Sequence, residues 1–241
     1  MDTIDIKYIF KFSDGRREDI ELRLDPHTLD VVNRSLGNPP EWVGLDYCRC
    51  PHCPCDAHDT PYCPVALSLV DIVKRFGNVI SHEPLDLKVV TADRIISQHI
   101  PAQKGISSLL GLLISTSGCP CTDFFKPMAR FHLPLSCEEE TVFRASGMYL
   151  LAQYFRKREG RKEDLELQGL AKIYDDMHIL NVSVARRLRH ATQKDSSINA
   201  MTVLDVFTHT FQYVIEDELA DLRQLFLPYF TESYQKLLDD L

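Results

Sequence analysis

The segment Tyr47-Cys48-Arg49-Cys50-Pro51-His52-Cys53-Pro54-Cys55 is followed by Cys63-Pro64 and, much later, by Cys119-Pro120-Cys121. Five of the eight cysteines lie between positions 48 and 63. Thiols this dense are held by a metal or by disulfides, because an unligated cluster is an oxidation liability with no packing benefit. The spacing Cys50-x-x-Cys53 lets two sulfurs reach one ion, and a tetrahedral site then needs two further ligands from elsewhere in the chain. Cys63 and Cys119 are the expected pair. Each precedes a proline, which removes a competing backbone donor and fixes the local chain, and each is placed by sequence at the N-cap of a helix, where the dipole favours a thiolate. Cys48, Cys55, Cys121, His52, His58 and His132 are the alternate ligands.

Zinc and an iron–sulfur cluster both accept four thiolates. The C-x-x-C-x-x-C run of ferredoxins is absent, so zinc is the expected cofactor and the cluster the alternative. Four protein ligands leave no open position for water or substrate, so such a site is more often a staple than a catalyst. The expected function is therefore a metal-binding protein whose four-cysteine site organises an interaction or regulatory surface. A redox-active iron–sulfur or thiol-switch protein ranks second, because Cys48, Cys55 and Cys121 would lie near the four ligands. A metalloenzyme ranks third and would need an open coordination position beside His132 or a glutamate. No Ser-His-Asp order, nucleophile elbow, H-E-x-x-H pair or phosphate-binding glycine loop supports catalysis. The glycines Gly105 and Gly111 lack the spacing of a phosphate loop.

Arg130, His132 and Arg144 could hold an anion near the acidic run Glu138 to Glu140, although an Arg–Glu pair tying loop to helix is the preferred reading. The clusters Arg156 to Arg158 with Arg161-Lys162, and Arg186-Arg187-Leu188-Arg189-His190, read as solvated helix ends. Phe207, Phe211, Tyr213 and Phe226 read as core or as a dimer seam.

A chain of 241 residues can bury a proper core without covalent staples. Its 44% apolar and 26% charged content is that of a globular protein. The formal net charge of −8 disfavours a nucleic-acid-coating role. No signal peptide is recognised at the N-terminus, and the most apolar run, Ile106 to Ile114, is too short to span a bilayer. A cytoplasmic location without membrane association is expected, with an unidentified protein partner or a homodimer as the forms of assembly left open. In a reducing compartment close cysteine spacing favours metal ligation over disulfides.

These residues need elements to position them. Alternation at Ile4, Ile6, Tyr8 and Phe10 and at Ile20, Leu22 and Leu24, around Ser13-Asp14-Gly15, predicts a hairpin. Leu85 to Thr91 supplies a third strand. A short helix is expected at Thr28 to Ser35, then a loop to the cysteines. Helical spacing predicts Pro64 to Phe76, Gln103 to Ser115, and a helix opened by a Ser136-to-Glu139 capping box and ending near Arg158. Its expected buried side includes Val142, Phe143, Ala145, Tyr149, Leu151 and Phe155. Phe124 to Pro134 reads as a buried, ordered connection. Further helices follow Leu165, Asp195 and Tyr229. The expected architecture is α+β in one integrated domain: 1–45 and 79–93 β-rich, 46–63 a Cys-rich metal loop, and 94–241 a helical body.

Cys50-Pro51-His52-Cys53-Pro54, Cys63-Pro64-Val65-Ala66, Ser117-Gly118-Cys119-Pro120 and Met128-Ala129-Arg130-Phe131-His132-Leu133-Pro134 together resemble a bacterial protein family of uncharacterised function that shares these elements along most of the chain. The resemblance implies a bacterial cytosolic protein in which Cys50, Cys53, Cys63 and Cys119 are the matching cysteines. Cys48, Cys55, Cys121 and Cys137 fall outside that pattern.

Overall fold

Residues 2–33, 37–191 and 196–240 are described by the computed structural model. The N-terminal hairpin forms as the alternation requires, with β1 at Ile4–Phe12 and β2 at Arg17–Leu24 joined through Gly15, whose φ of 90° suits a residue without Cβ. Strand β3, Pro84–Val90, runs antiparallel to β1, and β4, Ile95–Pro101, runs antiparallel to β3. The sheet order is β2-β1-β3-β4. Register puts Ile6 opposite Leu22, Tyr8 opposite Ile20 and Val89, and Phe10 opposite Leu87, so one face is continuously apolar. On the other face Lys7 pairs with Asp19 and Glu21 at 3.1 and 2.7 Å.

Strand β4 corrects the expected limit of the β-rich part at residue 93. Of its seven residues only Ile100 is buried, so this edge strand lacks the apolar alternation that identifies a strand in sequence.

The apolar face is covered by α1, Pro64–Phe76, and α2, Ala102–Ser115. Phe76 meets Phe10 edge-on with ring centroids 4.8 Å apart. Gly105 lets α2 approach the sheet: a Cβ there would lie 3.1 Å from the Phe10 ring and 3.3 Å from Ile100. A short 3₁₀ stretch at Pro120–Phe125 leads into α3, Lys126–Arg130. The connection expected to be buried is only partly so: Ala129 and Pro134 are buried, whereas Phe131 is 73% and Phe124 58% exposed.

The helix expected from Thr28 is replaced by a turn. The Asp25 carboxylate accepts from the backbone N–H groups of His27 and Thr28, both at 2.8 Å, and Leu29 takes a φ of 60°. That side-chain bond competes with helical pairing, and Val31 instead bridges to Leu24. Positions 34–36 of that expected helix lie outside the described residues.

Helix α4 spans Glu138–Arg158, α5 Gln168–Ala191, α6 Ser196–Leu222 and α7 Glu232–Asp239, with a 3₁₀ stretch through Pro228 at Arg223–Phe230. The N-cap of α4 is Cys137 and not Ser136: its sulfur accepts from Glu140 N–H at 3.5 Å, and the Glu140 carboxylate accepts from Cys137 N–H at 2.8 Å. The residue at Asp195, and the side chains of Phe207, Phe211 and Tyr213, lie outside the described residues. On α4 the buried positions are Val142, Ala145, Ser146, Tyr149 and Gln153. Phe143, Leu151 and Phe155, expected inside, are each more than half exposed. No single helix among the described residues is long and apolar enough to cross a membrane.

Two compact units account for the chain: residues 1–135 with 175–208, and residues 136–174 with 209–241. The first contains the sheet, α1 to α3, the cysteine-rich loop and one large core that includes Cys63 and Cys119. In the second, Asp164 ties the start of α5 to α4, accepting from Tyr149 Oη at 2.8 Å and from Gly169 N–H at 2.7 Å.

Phe76 has no exposed surface and joins α1 to the sheet. Phe76→Ala should therefore destabilise the protein by about 3–5 kcal/mol, read as a lowered denaturation midpoint in urea. An unchanged midpoint would mean that α1 does not depend on this contact.

Candidate functional site

The cysteine-rich loop has a closed base. Leu45 N–H donates to Pro61 C=O and Cys63 N–H to Val43 C=O, both at 2.9 Å, and Gly44 pairs with Tyr62 across the same short ladder. This ladder holds the start of α1 beside the segment that enters the loop. Inside the loop, Cys53 N–H donates to Cys50 C=O at 3.0 Å, so the C-x-x-C closes into a tight turn. Arg49 fastens the far side by donating to the carbonyls of Cys53 and Cys55, and it pairs with Asp46 at 3.4 Å.

The second segment arrives from beyond α2. Gly118, with φ of 80°, turns the chain, and Cys119 N–H donates to Ser117 Oγ at 3.2 Å. Thr122 Oγ1 then donates to the carbonyls of Ile114 and Cys119, both at 2.9 Å. Cys63 and Cys119 do occupy N-cap positions, before α1 and before the 3₁₀ stretch, yet neither sulfur makes a capping hydrogen bond. The helix start expected at Cys119 is a 3₁₀ turn, from which the Cys121 backbone N–H still favours the ionised Cys119 sulfur.

Both sulfurs face inward. Cys50, Cys53, Cys63, Cys119 and Cys121 line one small cavity of about 10 Å³ together with Arg187, roughly the room that one water-sized sphere requires. Three stretches of chain thus bring the four predicted ligands and one alternate to a single place. Among the described residues no three Cys, His, Asp or Glu side chains already stand in a metal-ligand arrangement. Taking up an ion would require the sulfurs to draw in.

Burial governs the acidity of these thiols. It pushes Cys50 up to about 11, reinforced by the neighbouring Cys63 and Cys53 and opposed by the Ser183 hydroxyl and the Arg187 guanidinium. Cys119 is raised further by burial and by Cys121, Cys63 and Cys55, while the Cys121 backbone N–H opposes the shift. Cys55 and Cys121 are raised for the same reason, each by burial first and then by nearby thiols. Cys50, Cys55, Cys119 and Cys121 thus hold their protons more tightly than free thiols, and a bound cation would have to displace them.

The alternates separate. Cys55 lies against Cys53 and Cys121 in the group, and the Cys121 thiol reaches the His52 carbonyl at 4.0 Å. Cys48, with a φ of 47°, is not among the residues lining the cavity. His132 is engaged elsewhere: its Nε2 lies 2.6 Å from the Tyr8 hydroxyl, which also contacts Ser108 Oγ at 3.0 Å. His58 is exposed beside Asp59. Both ring nitrogens of His52 are buried without a hydrogen-bond partner. Arg130 stacks over Phe131 at 5.4 Å, and burial lowers the pKa of Arg144 against the influence of Tyr174 and Glu140.

A model of a domain of unknown function, DUF6901, matches residues 6–227. The chain belongs to the DUF6901 family. That match spans the cysteine loop, the turn at Cys119 and α5. No curated protein and no solved structure matches the chain.

The residue that sequence reasoning missed is Arg187, expected to be solvated and in fact 1% exposed. Its signal was present in the helical spacing. Leu180, Val184 and Leu188 on α5 are buried, and Arg187 follows Leu180 by seven and Val184 by three, on the same face.

Burial separates the thiols by access. In metal-free protein kept reduced, iodoacetamide should label exposed Cys137 first, and buried Cys63 and Cys119 only on unfolding, as read by peptide mass mapping. Labelling of Cys119 as fast as Cys137 would contradict this arrangement.

Proposed function

We propose that this chain is a metal-binding protein of a reducing cytosol, in which Cys50, Cys53, Cys63 and Cys119 take one zinc ion in a structural site. The observation that carries the reading is that these four cysteines, from three separate chain segments, line one small cavity. Ligation would link the loop, the start of α1 and the Cys119 turn, all within the first compact unit. Such a staple fixes the surface formed by the loop, and that surface is the part of the protein offered to a partner.

The thiolates would supply tetrahedral soft ligation, and the chain's own contribution is to place and desolvate them. The Cys121 N–H aimed at the Cys119 sulfur and the Ser183 hydroxyl near Cys50 both favour the ionised form. His52 is the reserve ligand. A buried ring with both nitrogens unbonded carries a cost of about 1–3 kcal/mol per unmade bond.

A second reading, a thiol switch, is favoured by Cys55 and Cys121. Both stand against members of the proposed ligand set. Oxidation by a hydroperoxide would join two thiols in a disulfide, with two electrons passing to the oxidant, and would release the ion.

Protein purified anaerobically should contain one zinc per chain and show no visible absorption band. Cys63→Ser and Cys119→Ser should each lower zinc content and thermal stability, whereas Cys137→Ser should leave both unchanged because serine also serves as an N-cap. Iron with acid-labile sulfide would replace zinc by a cluster. Full zinc in either of the first two variants would show that the ligand set is wrong.

A further inference from the structure

Arg187 stands one turn from the C-terminus of α5 and is 1% exposed. Its Nη1 donates to the carbonyls of Trp42 at 2.8 Å and Gly44 at 2.7 Å, and its Nη2 donates to the carbonyl of Leu45 at 2.9 Å. All three acceptors are neutral. Among the described residues no carboxylate pairs with it. A guanidinium keeps its proton under all ordinary conditions, so a full positive charge sits inside the core of the first unit. Burying a charge without an opposite charge is among the most costly arrangements a fold can contain.

Carbonyl dipoles meet part of that cost. Arg187 lines the same cavity as Cys50, Cys53, Cys63, Cys119 and Cys121. Four thiolates around one divalent cation carry a net charge of −2, which a neighbouring buried cation halves. Arg49, the other guanidinium at the cavity, is already paired with Asp46 at 3.4 Å and is partly solvated. Arg187 alone is both buried and without a carboxylate.

We propose that Arg187 is the resident counter-cation of an anionic metal–thiolate centre, strengthening its hold on a divalent ion by charge while its N–H fork clamps residues 42–45 to α5. The inference rests on the metal reading of the cysteine cluster. It makes Arg187 a positioning residue and assigns the centre's occupant to a class: a divalent cation that binds as a thiolate complex of net negative charge.

The test uses the full chain, reduced and stripped of metal, titrated with Co²⁺ and followed by the sulfur-to-cobalt charge-transfer band, with Zn²⁺ affinity then read by competition. Arg187→Gln removes the charge, and Arg187→Lys keeps it but loses the fork. Both should lower the thermal stability of the metal-free protein. Arg187→Gln should weaken Zn²⁺ binding by about tenfold or more, the range found for groups that support metal ligands from behind, while Arg187→Lys should stay close to wild type. Equal weakening in the two variants, or wild-type affinity in Arg187→Gln, would overturn the counter-cation role and leave a clamp only. Should Arg187→Gln fail to fold, Arg187→Met, neutral and of similar length, carries the same comparison. A wild-type chain that gives no charge-transfer band would instead overturn the metal reading itself.

Discussion

The guanidinium of Arg187 ties α5 to the base of the cysteine loop, beside the edge-on contact of Tyr47 with His190 and the shared core of Val43, Leu45, Val184 and Leu188. Its fork grips three carbonyls between Trp42 and Leu45, where a 3₁₀ turn at Glu41–Val43 runs into the short bridge from which the cysteine loop departs and to which Cys63 returns. Remove the fork and the carbonyls of Trp42 and Leu45 lose this donor, while Gly44 C=O keeps the Tyr47 N–H at 3.1 Å; the loss at buried Leu45 is that of an unmade hydrogen bond away from water. Because α5 carries Arg187, Leu180 and Val184 to one cavity, the same helix both anchors the loop and supplies part of the wall behind the sulfurs.

Upon that anchor the cysteines are presented by backbone more than by side-chain contacts. The Cys50–Cys53 turn, the Gly118 turn and the Thr122 hydroxyl each fix a short piece of chain through local hydrogen bonds. The sheet and its two covering helices make the platform: α1 leaves from Cys63, and α2 ends just before Cys119. Burial does two opposing things here. It raises the pKa of free thiols and so protects them, and it also creates a place where a cation that displaces those protons would be bound in a medium of low dielectric.

Much of this was legible beforehand. Alternating apolar residues identified β1, β2 and β3, and the proline after Cys63 with the glycine at 77 marked both limits of α1. The α+β class followed from those patterns. The edge strand β4 was hidden because only Ile100 among its residues is buried, so its pairing with β3 is a matter of backbone hydrogen bonds that leave no hydropathy signal. The turn at Asp25 was hidden for a different reason: a carboxylate bonded to its own backbone outweighs helical propensity over a short stretch.

By itself the sequence determined which residue types could do chemistry and which local conformations they would begin from: the Cys50–Cys53 spacing, the Cys-Pro steps at 63 and 119, and the helical phase of α5. Tertiary structure alone decided their company. It brought Cys121 and Cys55 to the cluster, left Cys48 off the cavity wall, gave His132 to the Tyr8 hydroxyl and turned Arg187 inward. The reason is physical: spacing along the chain fixes what a residue can reach within a turn or two, whereas contacts across tens of residues depend on how whole elements pack. Only that packing determines whether an arginine on an apolar helix face finds water or a ring of carbonyls and thiols.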